Sequence, residues 1–505
     1  MDPVEQLKED LRDGRIDPVR LLAVVVSLQR QLLAAQQRIA ELERNSGPSP
    51  PTNKVDQPFS LRAEEQRQKA QGKSGQKRPG RKPLQLTRKG RLHTADKLTL
   101  AIRTEKCLPA NVSEADCTRS HTRPVWRLEN GQAVVVAYEI CRGPKNQYGS
   151  IPGVLGRSEF GIEIVLEIAY FVYVQGLSFD KVCRMLNFLQ NLRMGKTQAD
   201  ALLRQLAKHW QGEFDVLCTL LAHSAVVHAD ETSWSIKSVW AFLSEKARLL
   251  FFGVNKDAAT LEQILDPATF AGLLVSDDAA VYANFSQAQK CWAHLLRKAI
   301  KLTLQEPTND EYRRFLDSLL EIYRRACRVQ RDGRMGPAGR AKKVAELDDA
   351  LVDLCAPLWA LELPPQAEGP ENDYRLLTNE VMRLMLDQEL FQFVTAPATT
   401  QPNGTTQPAP GTNNEAERTL RGPALARKTG QTNRSPIGAR RQTIVVSVLQ
   451  SLRLYLPDFT LADILAEVGR WREAGKSCFR TLLEAMKLRV PTESVLDRLL
   501  PSTDG

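Results

Sequence analysis

Aromatic residues are scarce in this chain, and long apolar runs are absent. Phe, Trp and Tyr make up 6% of the 505 residues, which argues against a protein built mostly of β-sheet. No apolar run reaches the roughly 18 residues that a membrane-spanning helix needs; the best candidate, residues 162–174, is interrupted by Glu163 and Glu167. Residues 1–5 lack the basic start and apolar stretch of a signal peptide. We therefore predict a cytoplasmic protein.

Cysteine pairs are also missing. The nine cysteines are scattered, their number is odd, and no Cys-x-x-Cys pair occurs. Such a pattern does not form a disulfide framework and is typical of a reducing compartment. Cys107, Cys117, His121 and Cys141 could bind a metal, but their spacing is poor for a zinc finger or ribbon, so ordinary buried cysteines are the alternative.

Positive charge is abundant and concentrated. The chain carries a net charge of +10, and residues 60–91 hold eleven basic residues against two acidic ones. Glycines and prolines in this stretch forbid a continuous helix. A flexible basic arm of this kind, which includes Lys77, Arg78, Arg81 and Lys82, can neutralise DNA phosphates. The alternative is a solvated tether.

The first segment has a heptad period. Its apolar residues alternate at spacings of four and three and are Leu21, Val25, Leu28, Leu32, Ala35, Ile39 and Leu42. This spacing is typical of a coiled coil, so it predicts a homo-oligomer, a dimer or larger, through residues 21–42. A helix that packs on its own domain is the alternative.

Composition and periodicity divide the chain into seven regions. We predict a coiled-coil helix (1–45), a basic flexible arm (46–91), a small N-terminal domain (92–150), a helical domain (151–224), a catalytic core (225–300 and 412–450), a helical insertion and loop (301–411) and a C-terminal helical region (451–505). Within the small domain, residues 133–140 are the clearest strand.

The core region alternates strands with carboxylates. Strands are predicted at 225–231, 239–243, 249–254 and 273–278, with a short helix at 261–265 before the last of them. This order indicates an α/β core, which binds its ligand at the carboxyl edge of the sheet. Asp230 and Asp277 close two of these strands.

Three acids are candidates for metal binding. Asp230, Asp277 and Glu417 could together hold Mg²⁺ or Mn²⁺, ions that prefer oxygen ligands and support phosphodiester chemistry. Glu417 lies at the start of a helix that we expect to open at Thr412 or a following asparagine. Basic residues nearby could hold DNA phosphates: Arg418, Arg421, Arg427, Lys428, Arg440 and Arg441. From spacing alone, the aspartates could equally cap turns and Glu417 could be a solvated helix residue.

Several motifs occur in a characteristic order. They are His-Ala-Asp-Glu-Thr-Ser-Trp at 228–234, Leu-Val-Ser-Asp-Asp-Ala-Ala-Val-Tyr at 274–282, Cys-Trp-Ala-His-Leu-Leu-Arg-Lys at 291–298, Asn-Asn-Glu-Ala-Glu-Arg at 413–418 and Gly-Ala-Arg-Arg at 438–441. Upstream, residues 173–182 read Tyr-Val-Gln-Gly-Leu-Ser-Phe-Asp-Lys-Val. With these motifs, the chain resembles the insertion-sequence-66 family of DDE transposases over most of its length.

The resemblance implies an α/β ribonuclease-H-like core with an all-helical insertion, and a divalent-metal triad of Asp230, Asp277 and Glu417. The implied partners are transposon-end DNA, target DNA and accessory proteins of the same element. Family members often carry a cysteine-rich zinc segment near the N-terminus, and its cysteine pairs are missing here, so we expect magnesium or manganese and no zinc. Trp292 matches the family motif and is expected to pack, while His294 is expected to approach the site or the DNA.

Each triad member has an acidic neighbour. The rivals are Glu231, Asp278 and Glu415. Adjacent strand residues point to opposite faces, so Asp230 and Glu231 cannot both face one metal site. Helix residues two apart lie about 200° apart, so only one of Glu415 and Glu417 can do so. The expected activity is cleavage of transposon 3′ ends and their joining to target DNA. A metal-dependent nuclease and an inactive, transposase-derived DNA-binding protein are the alternatives.

Overall fold

The computed structural model of the chain describes residues 92–359 and 369–500. The heptad segment at 21–42 and the basic arm at 46–91 lie outside the described residues. Within the described part, no helix combines the length and apolarity needed to cross a lipid bilayer.

The described chain begins with a short helix and a three-stranded sheet. Its elements are α1 (Thr94–Thr99), β1 (Ala101–Cys107), β2 (Thr118–Glu129) and β3 (Gln132–Arg142), with β3 in the centre. Asn130 and Gly131, both at positive φ, connect β2 to β3 as a two-residue hairpin loop. The strand predicted at 133–140 is confirmed within β3.

Helices follow this sheet, as the apolar periodicity predicts. They are α2 (Ile162–Ala169), which continues into a π-helical turn (Tyr170–Val174), then α3 (Phe179–Gln190) and α4 (Lys196–Ala222). The apolar residues of α2 are buried on all sides, because this helix lies inside the protein rather than at its surface.

A five-stranded mixed sheet forms the centre of the protein. Its strands are β4 (Val226–Ser233), β5 (Ser238–Ser244), β6 (Arg248–Val254), β7 (Leu273–Ser276) and β8 (Ala288–Lys290), with helix α5 (Ala258–Ile264) between β6 and β7. The strand order is β6-β5-β4-β7-β8. Strands β4, β5 and β6 pair antiparallel, whereas β4, β7 and β8 pair parallel. This mixed α/β arrangement is compatible with a ribonuclease-H-like core.

The predicted order of strand, strand, strand, helix and strand is confirmed. The three-residue strand β8 was not predicted, because a strand so short has no detectable period. Its register is set by β7, where Val275 lies opposite Gln289.

Helices and a small hairpin lie between the sheet and the third acid. They are α6 (Trp292–Gln305), α7 (Asp310–Arg331), α8 (Pro337–Trp359), α9 (Pro370–Leu386), α10 (Gln392–Thr395), β9 (Thr399–Thr400) and β10 (Thr406–Gln407). The helical insertion and loop predicted at 301–411 therefore also contain an antiparallel hairpin. Trp292 is fully buried and donates a hydrogen bond to the carbonyl of Leu390 at 2.7 Å, so its expected packing role is confirmed.

Five helices complete the chain, namely α11 (Asn414–Lys428), α12 (Pro436–Tyr455), α13 (Leu461–Glu473), α14 (Cys478–Ala485) and α15 (Val495–Leu499). Apolar side chains from α2, α4, the central sheet, α12 and α15 form one continuous buried cluster. The helices predicted at 151–224 and 451–505 thus share a core with the sheet.

Helix α12 covers strand β6, an edge of the central sheet, with a row of hydroxyl groups. Thr443, Ser447 and Ser451 are four residues apart and lie on one face of the helix. They accept hydrogen bonds from the backbone N–H groups of Phe252, Leu250 and Arg248, at 3.0, 3.0 and 2.9 Å respectively. The unpaired groups of the edge strand are thereby satisfied, which prevents pairing with another chain.

Replacing Ser447 by alanine is expected to destabilise the fold by about 1–3 kcal/mol, because the buried N–H of Leu250 loses its acceptor. The free energy of unfolding, measured by urea titration, checks this. Ser120→Ala is the control, since Ser120 is exposed and contacts only the neighbouring His121 ring. Equal stability of the two variants would contradict the role of the hydroxyl row.

Candidate active site

Asp230 and Asp277 lie at the same edge of the central sheet. Strands β4 and β7 are parallel neighbours, and His228 lies opposite Val275. Asp230 and Asp277 each follow this pair by two residues along their strands. Because parallel strands end at one edge, the register brings the two aspartates together.

Asn413 attaches helix α11 to this edge. It is the N-cap residue of α11 and is only 1% exposed. Its side-chain amide donates to the carbonyl of Ala229 at 2.7 Å, and its Oδ1 lies 3.2 Å from Nδ1 of His228. The backbone N–H of Asn413 donates to Sγ of Cys291 at 3.1 Å. These contacts place the first turn of α11, which carries Glu417, beside the residue that precedes Asp230.

The imidazole of His228 is buried in this contact and is expected to be uncharged. Burial lowers the pKa of His228, although Glu415 and the hydrogen bond to Asn413 oppose the shift. A neutral imidazole can donate from Nδ1 to the amide oxygen of Asn413. The contact is therefore expected to persist through the neutral pH range.

The charges of neighbouring acids act on Asp230. Burial, with the charges of Glu231, Asp277 and Glu417, raises the pKa of Asp230 from 3.8 to about 7. The backbone N–H of Glu231, which donates to Asp230 Oδ1 at 2.9 Å, opposes this shift. The charges of Asp277 and Glu417 thus reach Asp230, but among the described residues the ligand atoms of the three acids do not all lie within 4.8 Å of one another. Oxygen ligands that repel one another are a donor set suited to a hard divalent cation.

The rival acids have their own partners. Glu231 is buried, accepts a hydrogen bond from the hydroxyl of Tyr282 and pairs with Lys256 at 2.8 Å. Asp278 pairs with Arg383, and Glu415 pairs with Arg248.

Glu417 also has neighbours, all of them on helix α6 or at its start. The Nη2 atom of Arg297 donates to both carboxylate oxygens, at 2.7 and 2.9 Å. His294 Nε2 lies 3.8 Å from Glu417 Oε1. The other ring nitrogen, Nδ1, is buried and has no hydrogen-bond partner among the residues that the structure describes.

Cys291, His294 and Glu417 form a second group of potential ligands. Their ligand atoms all lie within 4.8 Å of one another. Thiolate and imidazole ligands favour zinc-like ions over magnesium. Sequence reasoning missed this group, although the Cys-x-x-His spacing at the start of α6 was a usable signal. Among residues 92–359 and 369–500, no such group includes any of the four residues considered as metal ligands from the sequence, Cys107, Cys117, His121 and Cys141.

An open cleft adjoins Asp277. It has a volume of about 620 Å³ and is lined by residues that include Asp277, Asp278, His294 and Arg383. Helix α9 forms its other side. Two ion pairs, Lys298 with Glu380 and Arg383 with Asp278, connect α9 to the core across this cleft.

A comparison with known protein families agrees with the resemblance that the sequence motifs indicate. A family model described as "Transposase IS66 family" matches residues 157–441, more than half of the chain. The chain belongs to the IS66 transposase family. The match includes all three candidate acids, and it implies an enzyme that processes DNA. DDE transposases generally use divalent metal ions. No curated protein matches the chain.

The basic residues predicted to bind DNA fall into four groups in this transposase. Arg418, Arg421 and Lys428 are exposed on α11, the helix that carries Glu417. Arg427, on the same helix, donates to the carbonyl of Ser233 at 2.8 Å. Lys77, Arg78, Arg81 and Lys82 lie outside the described residues.

Arg440 and Arg441, which were also predicted to contact DNA, pair with acids of the same chain. Arg440 pairs with Asp497 at 2.7 Å and donates to the carbonyl of Leu500 at 2.9 Å. Arg441 pairs with Asp200 and donates to the hydroxyl of Tyr173 at 2.7 Å. With its side chain 11% exposed, Arg441 joins α12 to α4 and is not placed to hold a phosphate.

The raised pKa of Asp230 predicts a pH-dependent stability in the presence of a chelator. An acid whose pKa is raised from 3.8 to about 7 by folding favours the folded state at low pH, and this stability is lost as the pH rises through 7. The loss is at most about 4 kcal/mol. We expect Asp230→Asn to be more stable than the wild type at pH 8 and equal to it near pH 4, as measured by urea unfolding at both pH values. A constant difference across this range would contradict the placement of Asp230.

Proposed function

We propose that this protein is a DDE transposase that binds the terminal inverted repeats of its element, cleaves the 3′ ends and joins them to target DNA. The observation that carries the proposal is the parallel register of β4 and β7, which brings Asp230 and Asp277 to one sheet edge, where Asn413 attaches the helix that carries Glu417. Asp230 comes from β4, Asp277 follows β7, and Glu417 lies on α11.

Asp230, Asp277 and Glu417 would hold Mg²⁺ or Mn²⁺ through their carboxylate oxygens. Two such ions, when bound, activate the attacking oxygen and stabilise the leaving oxygen of a phosphodiester. The residues of the chain supply the framework. Asn413 holds α11 against β4, and the ion pairs of Glu231 and Glu415 keep these neighbours occupied with Lys256 and Arg248.

Arg418, Arg421, Arg427 and Lys428 would hold DNA phosphates near the acids, because they share helix α11 with Glu417. The basic arm, including Lys77, Arg78, Arg81 and Lys82, would add further phosphate contacts. We also propose that residues 21–42 form a homo-oligomer that pairs two ends, and that the helices of the 301–411 insertion organise them.

The deciding experiment is strand transfer with pre-cut transposon ends and a plasmid target in Mg²⁺ or Mn²⁺. We expect ends joined covalently to the plasmid. Cleavage of uncut ends without a joined product would indicate a metal-dependent nuclease. Binding of the ends with neither reaction would indicate a DNA-binding protein that has lost catalysis.

A further inference from the structure

Residues 178–208 form a compact two-helix unit at one side of the protein. Ser178 caps α3 by accepting from the N–H of Lys181, and α3 ends at Asn191, which adopts a left-handed conformation with φ of 55°. Asparagine is one of the few non-glycine residues that tolerate this conformation at a helix end. A five-residue connection, 191–195, then leads into α4.

The inner faces of the two helices pack on each other. The buried residues of this contact are at most 1% exposed and are Val182, Leu186, Leu192, Ala199 and Leu203. Leu192 fills the turn, and its N–H donates to the carbonyl of Leu186 at 3.2 Å. The small Ala199 permits close approach in the first turns of α4. A pair of helices with a short, glycine-containing connection and a shared apolar core is compatible with a helix-turn-helix.

The outer face of α4 is open and basic. Its exposed residues follow helical spacing at Thr197, Ala201, Arg204 and Lys208. Arg193 in the connection and Lys196 at the start of α4 are exposed beside them. Over residues 178–208, six basic residues stand against two acidic ones.

The two acids of this unit orient its basic residues. Asp180 pairs with Arg184 at 2.8 Å and with Lys196 at 3.3 Å, which ties the starts of α3 and α4 together. Asp200 pairs with Arg204 at 2.7 Å and also with the largely buried Arg441 of α12. The first turns of α4 are thus attached to the same helix that covers β6.

We propose that residues 178–208 are a helix-turn-helix that inserts the first turns of α4 into the major groove of duplex DNA and reads its sequence. The inference rests on the proposed function only in taking DNA as the partner. The groove admits an α-helix, where an arginine can bind guanine and an alanine methyl can contact thymine. Arg193, Thr197, Ala201 and Arg204 are the side chains in position to read bases, whereas Lys208 would contact phosphate.

The test is sequence selectivity of binding, measured with the full-length protein in a chelator so that catalysis has no influence. Duplexes are selected from a random pool by the wild type, and the ratio of affinities for the selected and a scrambled duplex is determined. The double variant Arg193→Ala/Arg204→Ala is expected to lower this ratio about tenfold or more. Arg328→Ala is the control, because Arg328 is an exposed arginine on α7 that pairs with Glu321.

Several outcomes would overturn the proposal. They are an unchanged ratio, an equal loss of affinity for both duplexes, which indicates phosphate contact alone, or the absence of any selected sequence with the wild type. Phe188 of α3 is 85% exposed. If Phe188→Ser lowers the oligomeric mass and the double variant keeps its ratio, the surface serves a second copy of the chain. A protein inactive in strand transfer that still shows the tenfold effect would support this inference and contradict only the proposed function.

Discussion

Replacing Glu417 by glutamine is expected to lower the rate of end cleavage in Mg²⁺ about a thousandfold while DNA binding persists. Glutamine keeps the size and hydrogen-bonding capacity of the side chain but removes the charge that a divalent ion requires. Loss of about 4 kcal/mol of transition-state stabilisation corresponds to this rate effect. Affinity for the ends should be retained, because phosphate contacts supply most of the binding energy. The measurements are single-turnover cleavage and a binding titration on the same end duplex.

Glu415→Gln is the matched control for this experiment. Glu415 lies on the same helix, two residues earlier, and pairs with Arg248, whereas Glu417 pairs with Arg297 of α6. We expect cleavage within a few-fold of the wild type. If both variants cleave equally fast, Glu417 is not a metal ligand. If Glu415→Gln alone abolishes cleavage, the assignment within this pair is reversed.

Replacing Asn413 by alanine is expected to destabilise the protein by about 2–4 kcal/mol and to lower the cleavage rate at least tenfold. The variant leaves the carbonyl of Ala229 and the ring of His228 without their buried partner, and each such group costs free energy. The loss also releases the start of α11, and small displacements of catalytic groups are costly. The measurements are urea unfolding and cleavage at a temperature where the variant stays folded.

Asn414→Ala is the control for Asn413→Ala. It tests whether any substitution in the Asn-Asn motif destabilises the protein. Asn414 is the next residue and is exposed. It should change stability by less than about 0.5 kcal/mol, as is usual for surface substitutions. A variant of Asn413 that loses stability but cleaves at the wild-type rate would show that the attachment of α11 does not position Glu417.

The raised pKa of Asp230 and the position of Asn413 together suggest how the site is held. Three acids that repel one another require a framework that resists separation. The backbone supplies part of it through the parallel pairing of β4 and β7. The side chain of Asn413 supplies the rest, because it bridges α11 to the backbone of β4 one residue before Asp230.

Local sequence patterns were sufficient to predict four of the five strands of the central sheet. Apolar runs at 225–231 and 273–278 predicted β4 and β7, because strands buried on both faces need continuous apolar residues. The position of Asp230 and Asp277 at the ends of these segments followed from the sequence alone. The start of α11 was also predictable, since asparagine favours the N-cap position.

Contacts between distant residues could not be derived in this way. No period in the sequence relates the hydroxyl row of α12 to the backbone of β6. None relates Arg441 to its partners Asp200 and Tyr173 either. The basic residues at 440 and 441 resemble a DNA-binding pair in sequence. Only the packing of α12 against α4 and the C-terminal helices shows that Arg440 pairs with Asp497 and Arg441 with Asp200.

The sequence by itself determined which segments become strands and helices and which acids stand at their ends, because hydrophobic periodicity and capping act over a few residues. The tertiary structure decided which charges act on Asp230, which acids pair with lysine or arginine, and that Cys291 and His294 adjoin Glu417. The physical reason is that charge interactions and buried hydrogen bonds depend on distance in space, and more than a hundred residues separate Glu417 from the strands that it meets.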